Sequence, residues 1–262
     1  MINKNTHFIT ILSFCFCLLS LTSCEQDRIV ANGPIITETI TLNNFDGIDL
    51  DCSADVIVSQ GPVQSVSVRG NANIIANLER EVVNGVWKVD LKRGNYRIRE
   101  LMITITVPNL NLLKIDGSGD IVCEAFEADK MDIQIDGSGN VAFLDGLILN
   151  RYLEVDIDGS GNIQLKNLNS PKTKCRIDGS GNIDLEGKSA EASYIINGSG
   201  NIKAFGLDSE NVKVDIDASG DVSVNAAQNL NVNIDGNGDV YYKGQPSVSS
   251  RIDGSGQVIN AN

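Results

Sequence analysis

The sequence predicts an all-β protein built as a right-handed parallel β-helix, a solenoid with coils of about 20 residues. Three observations lead to this fold class. A pentapeptide close to Asp-Gly-Ser-Gly-Asn recurs eight times at intervals of 18 to 22 residues, as in RIDGSGNIDL at residues 176–185. Apolar and polar residues alternate on both sides of each copy, which is typical of strands with one buried face. No segment between copies has the period of a helix, so the connections are also strands and turns.

The chain begins with a segment that we interpret as a lipoprotein signal peptide, residues 1–23. Its apolar run FITILSFCFCLLSL is shorter than the roughly 20 residues that a membrane-spanning helix needs. The run ends in Leu21-Thr22-Ser23-Cys24, which resembles a lipobox, and this resemblance implies that Cys24 carries the lipid. An ordinary secretory signal that contains a cysteine is the alternative. Residues 24–42 begin with a polar stretch that reaches Gly33 and Pro34, and they are predicted to form a tether.

Residues 43–110 are predicted to form a hairpin-containing β region that pairs with the first coils and caps that end of the core. One hairpin is predicted around Gln60-Gly61-Pro62 and another around Asn84-Gly85, because Asn-Gly is a strong hairpin signal. The segment LMITITVPNL adds a strand that Pro108 ends. LDCSADV at residues 50–56 is an incomplete copy of the corner motif, with Cys52 at a position that is usually small.

Residues 111–262 are predicted to form the repeat coils, stacked so that equivalent side chains lie above one another. Because an isolated coil cannot bury its apolar face, the array must stack to be stable. An inward ladder precedes the corner and consists of Ile115, Ile135, Ile157, Ile177, Ile196, Ile216, Ile234 and Ile252. A second ladder follows the corner and consists of Ile121, Val141, Ile163, Ile183, Ile202, Val222, Val240 and Val258.

The repeated pentapeptide is interpreted as a corner between two strands. Its glycines, such as Gly159 and Gly161, are expected to supply backbone angles that other residues reach only at a cost. Asn dominates the last corner position in the middle of the array, where stacked amides can hydrogen-bond from coil to coil. A row of calcium sites on the corner carboxylates is the alternative. Because Asn or Gln occupies five of the eight rows, no metal site and no other cofactor are predicted.

Charge and residue usage argue against several function classes. The formal net charge of −13 disfavours binding to nucleic acid. The single histidine, His7, lies in the predicted signal peptide, so no imidazole remains for acid–base catalysis or zinc binding. We therefore predict no enzyme activity and no catalytic residues. A carbohydrate-active β-helix that uses Glu154 and Asp156 is the alternative, but these acids are predicted to lie beside Lys174 and Arg176 of the next coil.

Three cysteines lie beyond the lipobox: Cys52, Cys123 and Cys175. Their odd number and the absence of CxxC spacing favour buried free thiols, although one disulfide stays open as an alternative outside the cytoplasm.

The sequence ends at Asn262, directly after a full motif. Little sequence follows to cover the last coil, so this coil is expected to present an open edge. Open edges favour pairing with another chain, and self-association through the C-terminal coil is therefore predicted.

These features together resemble the head GIN domain family of adhesin-like proteins, found in bacterial envelope lipoproteins. The likeness rests on the lipobox, on FDGIDLDCSADVIVSQG at residues 45–61, on ITVPNLNLLKIDGSGDI at residues 105–121, and on the repeated GSGNI strings. It covers residues 43–262. The resemblance implies the β-helix fold and supplies no catalytic residues to carry over.

The predicted function is that of a lipid-anchored, non-enzymatic protein of the cell envelope that acts as an adhesin or interaction module. The expected location is the outer membrane, with exposure at the cell surface. The expected partners are the membrane, through the lipid on Cys24, and a surface glycan or protein, whose binding residues the sequence does not identify. A carbohydrate-binding or carbohydrate-degrading β-helix and a periplasmic scaffold or stress sensor are the alternatives.

Overall fold

The structure is a computed structural model that describes residues 28–262. The predicted signal peptide and the predicted lipidation site, Cys24, lie outside the described residues. The described chain is nearly all β and forms a β-solenoid of about 7 turns with coils of about 20 residues. The predicted β-helix fold is therefore confirmed.

The N-terminal part of the described chain contains nine strands and one helical turn. The elements are β1 (Arg28–Val30), β2 (Ile35–Ile40), β3 (Gly47–Leu50), β4 (Asp55–Gln60), β5 (Ser65–Asn71), α1 (Ala72–Ile75), β6 (Val82–Val83), β7 (Val86–Val89), β8 (Asn95–Arg97) and β9 (Leu101–Val107). β1 and β8 pair in parallel as a separate two-stranded sheet, and the other strands join the sheet of the coils.

The repeat coils contain twelve further strands, and neighbouring coils pair in parallel. They are β10 (Leu112–Ile115), β11 (Ile121–Cys123), β12 (Phe126–Ile135), β13 (Val141–Phe143), β14 (Leu147–Ile157), β15 (Ile163–Ile177), β16 (Ile183–Ile196), β17 (Ile202–Ile216), β18 (Val222–Ile234), β19 (Val240–Lys243), β20 (Ser247–Ile252) and β21 (Val258–Asn260).

The two predicted apolar ladders form the core of the rod. Every member from Ile115 to Ile234 and from Ile121 to Val240 is at most 1 % exposed. The last coil differs, because Ile252 is 43 % exposed although it stands in register with the fully buried Ile234. Self-association through this coil stays a prediction.

The N-terminal region covers one end of the core, but its chain path differs from the predicted one. β3 and β4 flank the incomplete corner motif and belong to the stack, since they pair in parallel with β10 and β11. The chain then passes beneath this coil, where β7 and β9 pair in parallel with β3 and β4. The repeat stack therefore begins before the cap, and the cap is inserted into the sequence after the first coil.

One of the two predicted hairpins is wrong. β4 and β5 flank Gln60-Gly61-Pro62 but do not pair with each other, because β9 lies between them, parallel to β4 and antiparallel to β5. β9 is long enough to pair with six residues of each strand. The Asn84-Gly85 hairpin is confirmed: β6 and β7 are antiparallel, with φ of 51° at Asn84 and 79° at Gly85, as a tight primed turn requires.

The segment that we predicted as a tether is partly structured. Within residues 28–42, β1 pairs with β8 and β2 pairs antiparallel with β5. Ala31 and Ile40 are each only 4 % exposed, so their burial holds the segment on the domain. The tether prediction is wrong for this stretch because its apolar residues find partners from later in the chain.

Aromatic and aliphatic side chains close the N-terminal end of the core. Trp87 is fully buried, its ring centroid lies 5.7 Å from that of Phe45, and its Nε1 donates to the carbonyl of Glu79 at 3.2 Å. The turn α1 adds the fully buried Ile74 and Ile75. The only tryptophan of the chain is therefore part of the cap and is not available to stack on a sugar.

The corner glycines are needed for a reason that we did not predict. Gly159 and Gly161 do not have positive φ, so the expectation of special backbone angles is wrong. Instead, a Cβ on either residue would lie 1.9 Å from the carbonyl oxygen of Gly137 or Gly139 in the preceding coil. Glycine is thus required by close coil stacking. Cys52 is tolerated because its corner is the first one and borders an open cleft.

Candidate functional site

The last residue of each corner forms a hydrogen-bonded ladder along the rod. The Oδ1 of Asn162 accepts from the backbone N and from the Nδ2 of Asn182 at 3.1 and 3.0 Å. The Nδ2 of Asn162 in turn donates to the Oδ1 of Asn140 at 2.9 Å. The predicted amide ladder is confirmed. Its members are Asp120, Asn140, Asn162, Asn182, Asn201, Asp221, Asp239 and Gln257, and the last three are reached through their backbone N–H groups.

The first residue of the corner is Asp in seven of the eight copies and Asn197 in the other, which places a row of carboxylates on the outside of the rod. Basic side chains neutralise part of this row: Lys114 Nζ lies 2.8 Å from Asp116, and Arg176 lies 2.8 Å from Asp178. Burial raises the pKa of Asp178, but hydrogen bonds from Arg176 and Asn197 outweigh burial and leave this pKa below its ordinary value. Within residues 28–262, no three His, Cys, Asp or Glu side chains are grouped in a way that could hold a metal ion.

A shallow groove crosses the side of β15, β16 and β17, and we call it the side groove. Its floor is the backbone of these strands at Thr173, Ala192 and Val212, whose own side chains point into the core and are at most 4 % exposed. Two outward columns border it, with Lys172, Glu191 and Asn211 in one and Lys174, Ser193, Lys213 and Asn231 in the other. The groove therefore combines ammonium, amide and carboxylate groups on a rigid, shallow surface.

The two acids of the carbohydrate-active alternative lie on the outward face of β14. The register places Glu154 beside Lys174 and Asp156 beside Arg176, as predicted. Glu154 forms an ion pair with Lys174 at 2.6 Å, but Arg176 turns toward Asp178, in the corner that follows its own strand, instead of toward Asp156. Burial raises the pKa of Asp156, and the charge of Glu154 raises it further.

The three cysteines are free thiols in the structure. Cys123 and Cys175 are fully buried, and burial raises the pKa of each thiol far above its ordinary value. Cys52 is only partly buried, and burial is the main reason that its pKa is raised to about 11. All three thiols are therefore protonated at neutral pH, which makes them poor nucleophiles.

A column of buried serines was missed by the sequence reasoning. Ser170, Ser189 and Ser209 lie at most 4 % exposed at a second corner of the coil. Ser189 Oγ donates to the carbonyl of Glu191 at 2.8 Å, and Ser170 Oγ donates to that of Lys172 at 2.7 Å. Their spacing of 19 and 20 residues equals the coil length, so aligning the repeats beyond the glycine corner would have revealed them.

The predicted lipidation site, Cys24, lies before the first described residue. In the part of the chain that the structure describes, no helix is long and apolar enough to cross a membrane.

Comparison with known proteins identifies the family. Residues 44–246 match the family model described as "Putative auto-transporter adhesin, head GIN domain". A crystal structure from Parabacteroides distasonis described as a "Putative lipid binding protein" is 31 % identical, with a TM-score of 0.84 over 89 % of this chain and 100 % of that one. A "putative adhesin" from the same species is 26 % identical, with a TM-score of 0.80 over 89 % of this chain and 99 % of that one.

A "putative adhesin" from Parabacteroides merdae shares the fold at 24 % identity, with a TM-score of 0.84 over 89 % of this chain and 100 % of that one. None of the curated proteins compared with the chain matches it. The family match covers more than half of the sequence, and the similar crystal structures share the fold. The chain therefore belongs to the head GIN domain family of auto-transporter adhesin-like proteins.

Proposed function

We propose that this protein is a lipid-anchored, non-enzymatic adhesin of the outer membrane that holds a ligand against the side of a rigid rod. The observation that carries the proposal is the side groove. Its polar columns continue in register from coil to coil, so a ligand with a repeating polar structure meets a polar side chain at roughly 4.8 Å intervals.

The chemistry of the groove suits a surface glycan or an extended polar segment of a protein. Lys172 makes no ion pair with a described residue, and Ser193 stands between Lys174 and Lys213 in the neighbouring coils. Binding would leave the core unchanged, because outward side chains alternate with the inward ladders. The side faces thus supply recognition while the inward residues supply stability.

Protease treatment of intact cells tests exposure at the surface. An antibody against the repeat coils should lose its signal while a periplasmic control protein stays intact. If cleavage occurs only after the outer membrane has been permeabilised, the adhesin proposal fails and a periplasmic scaffold becomes the better explanation. Incorporation of labelled palmitate, lost in Cys24→Ser, tests the anchor separately.

A matched pair of variants tests the groove. Ser193→Trp places a bulky ring over the groove, whereas Ser223→Trp places the same ring on the strand face after the glycine corner. Cells that produce Ser193→Trp should lose adhesion to surfaces coated with mucin or matrix glycoproteins, and cells that produce Ser223→Trp should retain it. Equal adhesion of both strains would remove the groove from the proposal.

A further inference from the structure

We infer that the N-terminal end of the rod is a basic docking surface for anionic phospholipid headgroups, which sets the rod upright on the leaflet that carries its lipid. The inference deepens the proposed function and rests on it in one respect, the lipid at Cys24, which would bring this end to the membrane. The contact surface itself is argued from the described residues.

Positive charge is concentrated at this end of an otherwise acidic chain. Residues 111–262 contain 12 Lys and Arg against 23 Asp and Glu. At the other end lies a group of exposed basic side chains that form no ion pair with a described residue, and we call it the basic arm. Its members are Arg28, Lys92, Arg93, Arg97 and Arg99.

The acidic side chains near the basic arm are partly neutralised by another cation. Lys88 Nζ lies 2.8 Å from Asp51 and 3.6 Å from Asp90. Glu79 lines a cleft together with Asp51 and Asp90, and it forms no ion pair with a described residue. Among these described side chains, the five cations of the basic arm and Lys88 stand against three anions, in contrast to the coils.

The pairing of β1 with β8 brings the basic residues together. Arg28 lies opposite Asn95 and Val30 lies opposite Arg97, so Arg28, Val30 and Arg97 share one face of the two-stranded sheet. Ile29 and Tyr96 occupy the other face and are packed against the core. Arg28 and Arg97 line one open cleft together with Arg93. The guanidinium groups are thus held on a structured surface.

Exposed aliphatic side chains occur in β1 and at the start of β2, the strand that follows it in the chain. Val30 is 40 % exposed, Ile35 is 47 % exposed and Ile36 is 37 % exposed. A surface that combines Arg with exposed aliphatic side chains is of the type that binds at a bilayer interface. There the lipid phosphates pair with the cations, and the aliphatic side chains are buried at the boundary between headgroups and acyl chains.

The position of the predicted anchor limits the distance to the bilayer. Arg28 is the fourth residue after Cys24, so the lipidated residue lies within about 14 Å of the basic arm even if the chain is fully extended. An anionic leaflet would attract the arm and repel the acidic coils. This charge asymmetry favours an orientation in which the coils project away from the membrane.

Vesicle binding tests the inference without the lipid. The chain from residue 24 onward, carrying Cys24→Ser, retains every described residue and is mixed with vesicles of phosphatidylcholine with or without phosphatidylglycerol. Binding is measured by co-sedimentation. We expect binding only to vesicles that contain phosphatidylglycerol, and weaker binding at about 1 M salt, where the Debye length falls to about 3 Å.

Two triple variants with the same change in net charge locate the surface. Arg93→Gln/Arg97→Gln/Arg99→Gln should weaken binding by about 100-fold, since each cation near an anionic surface contributes roughly fivefold. The control variant changes exposed basic residues on the coils that lie outside the side groove and form no ion pair with a described residue, and it should bind as the parent does. Its substitutions are Arg151→Gln, Lys188→Gln and Lys203→Gln.

The inference is overturned if the parent does not bind anionic vesicles, if it binds neutral vesicles equally well, or if both variants weaken binding to the same degree. Circular dichroism of each variant confirms that the changes leave the fold intact. Because the protein used carries Cys24→Ser, a negative palmitate result in cells would remove the anchor from the proposed function but would leave the vesicle result interpretable.

Discussion

Replacing Gly161 with Ala probes the close stacking of the corners. The new Cβ would lie 1.9 Å from the carbonyl oxygen of Gly139 and 2.9 Å from Cγ2 of Ile135. Because carbon–oxygen contacts settle near about 3.3 Å, the two corners must move apart by more than about 1 Å. Such a shift stretches the bonds from Ser160 N to Gly137 and from Asn162 N to the corner amide of the preceding coil, now 3.0 and 2.9 Å long, beyond hydrogen-bonding range.

The expected cost follows from these contacts. Two lost hydrogen bonds contribute about 0.5–1.5 kcal/mol each, and overpacking of a tight site adds about 1–3 kcal/mol. We therefore expect the free energy of unfolding to fall by about 3 kcal/mol. For a domain of this size, that corresponds to a decrease in Tm of about 6–12 °C.

One corner already contains a Cβ at the first of its two glycine positions, which is the position of Gly159 and not that of Gly161. Ala218 stands there, and in the described chain Ser219 N makes no bond to the preceding coil. The equivalent bonds of Ser160 and Ser199 are both 3.0 Å long. A Cβ in a corner is thus accompanied by the loss of an inter-coil hydrogen bond, which is the effect expected for Gly161→Ala.

Differential scanning calorimetry of the purified chain measures the change, with Ser160→Ala as the control. That control alters the same corner but adds no Cβ, and it removes only an exposed 3.3 Å contact with Ser138, so its expected cost is below about 0.5 kcal/mol. If Gly161→Ala lowers the free energy of unfolding no more than the control does, the corners can accommodate a Cβ, and close stacking is not the reason for the repeated glycine.

Three further predictions concern the ladder, a partly buried acid and the thiols. Asn162→Asp replaces an amide donor with a carboxylate oxygen facing the Oδ1 of Asn140, and denaturant titration should show a loss of about 1–2 kcal/mol. Asp156→Asn should raise the free energy of unfolding at neutral pH. Burial raises the pKa of Asp156 in the folded state, so the wild type loses stability as the pH rises from the unfolded pKa of 3.8 through the folded pKa. The gain should vanish below pH 3.8, as pH-dependent unfolding curves of both proteins would show. Cys123 and Cys175 should resist alkylation by iodoacetamide in the folded protein and react after unfolding, as read by mass spectrometry; rapid labelling of the folded chain would contradict their burial.

The stacked coils could be predicted because each one repeats the same pattern of apolar and polar residues around a glycine-rich corner. Ile157, Ile177 and Ile196 occupy equivalent positions in successive copies, and strict alternation decides which side chains face inward. Parallel stacking is then the arrangement that buries all of them. The Asn ladder followed from the same alignment, since equivalent residues of neighbouring coils must lie side by side.

The cap could not be predicted in the same way because its pairings join distant segments. Nothing local in the Gln60–Pro62 turn indicates that β9, which begins only at Leu101, lies between β4 and β5. Likewise, β1 looks like part of a tether until β8 supplies its partner. The side groove depends on the lengths of outward side chains, such as Ser193 between Lys174 and Lys213, and an alternating hydrophobic pattern does not distinguish one polar side chain from another.

The separation between inward and outward columns explains why this family shares a fold more clearly than a ligand. An inward substitution such as one at Ile177 disturbs the coils above and below it, so the ladder constrains the sequence strongly. An outward residue such as Ser193 touches mainly its two neighbours in the column, so it can change without loss of the stack. Relatives with this fold are accordingly described both as lipid-binding and as adhesin-like. The informative mutations for function are therefore those that alter one outward column, such as Ser193→Trp, and leave every inward residue in place.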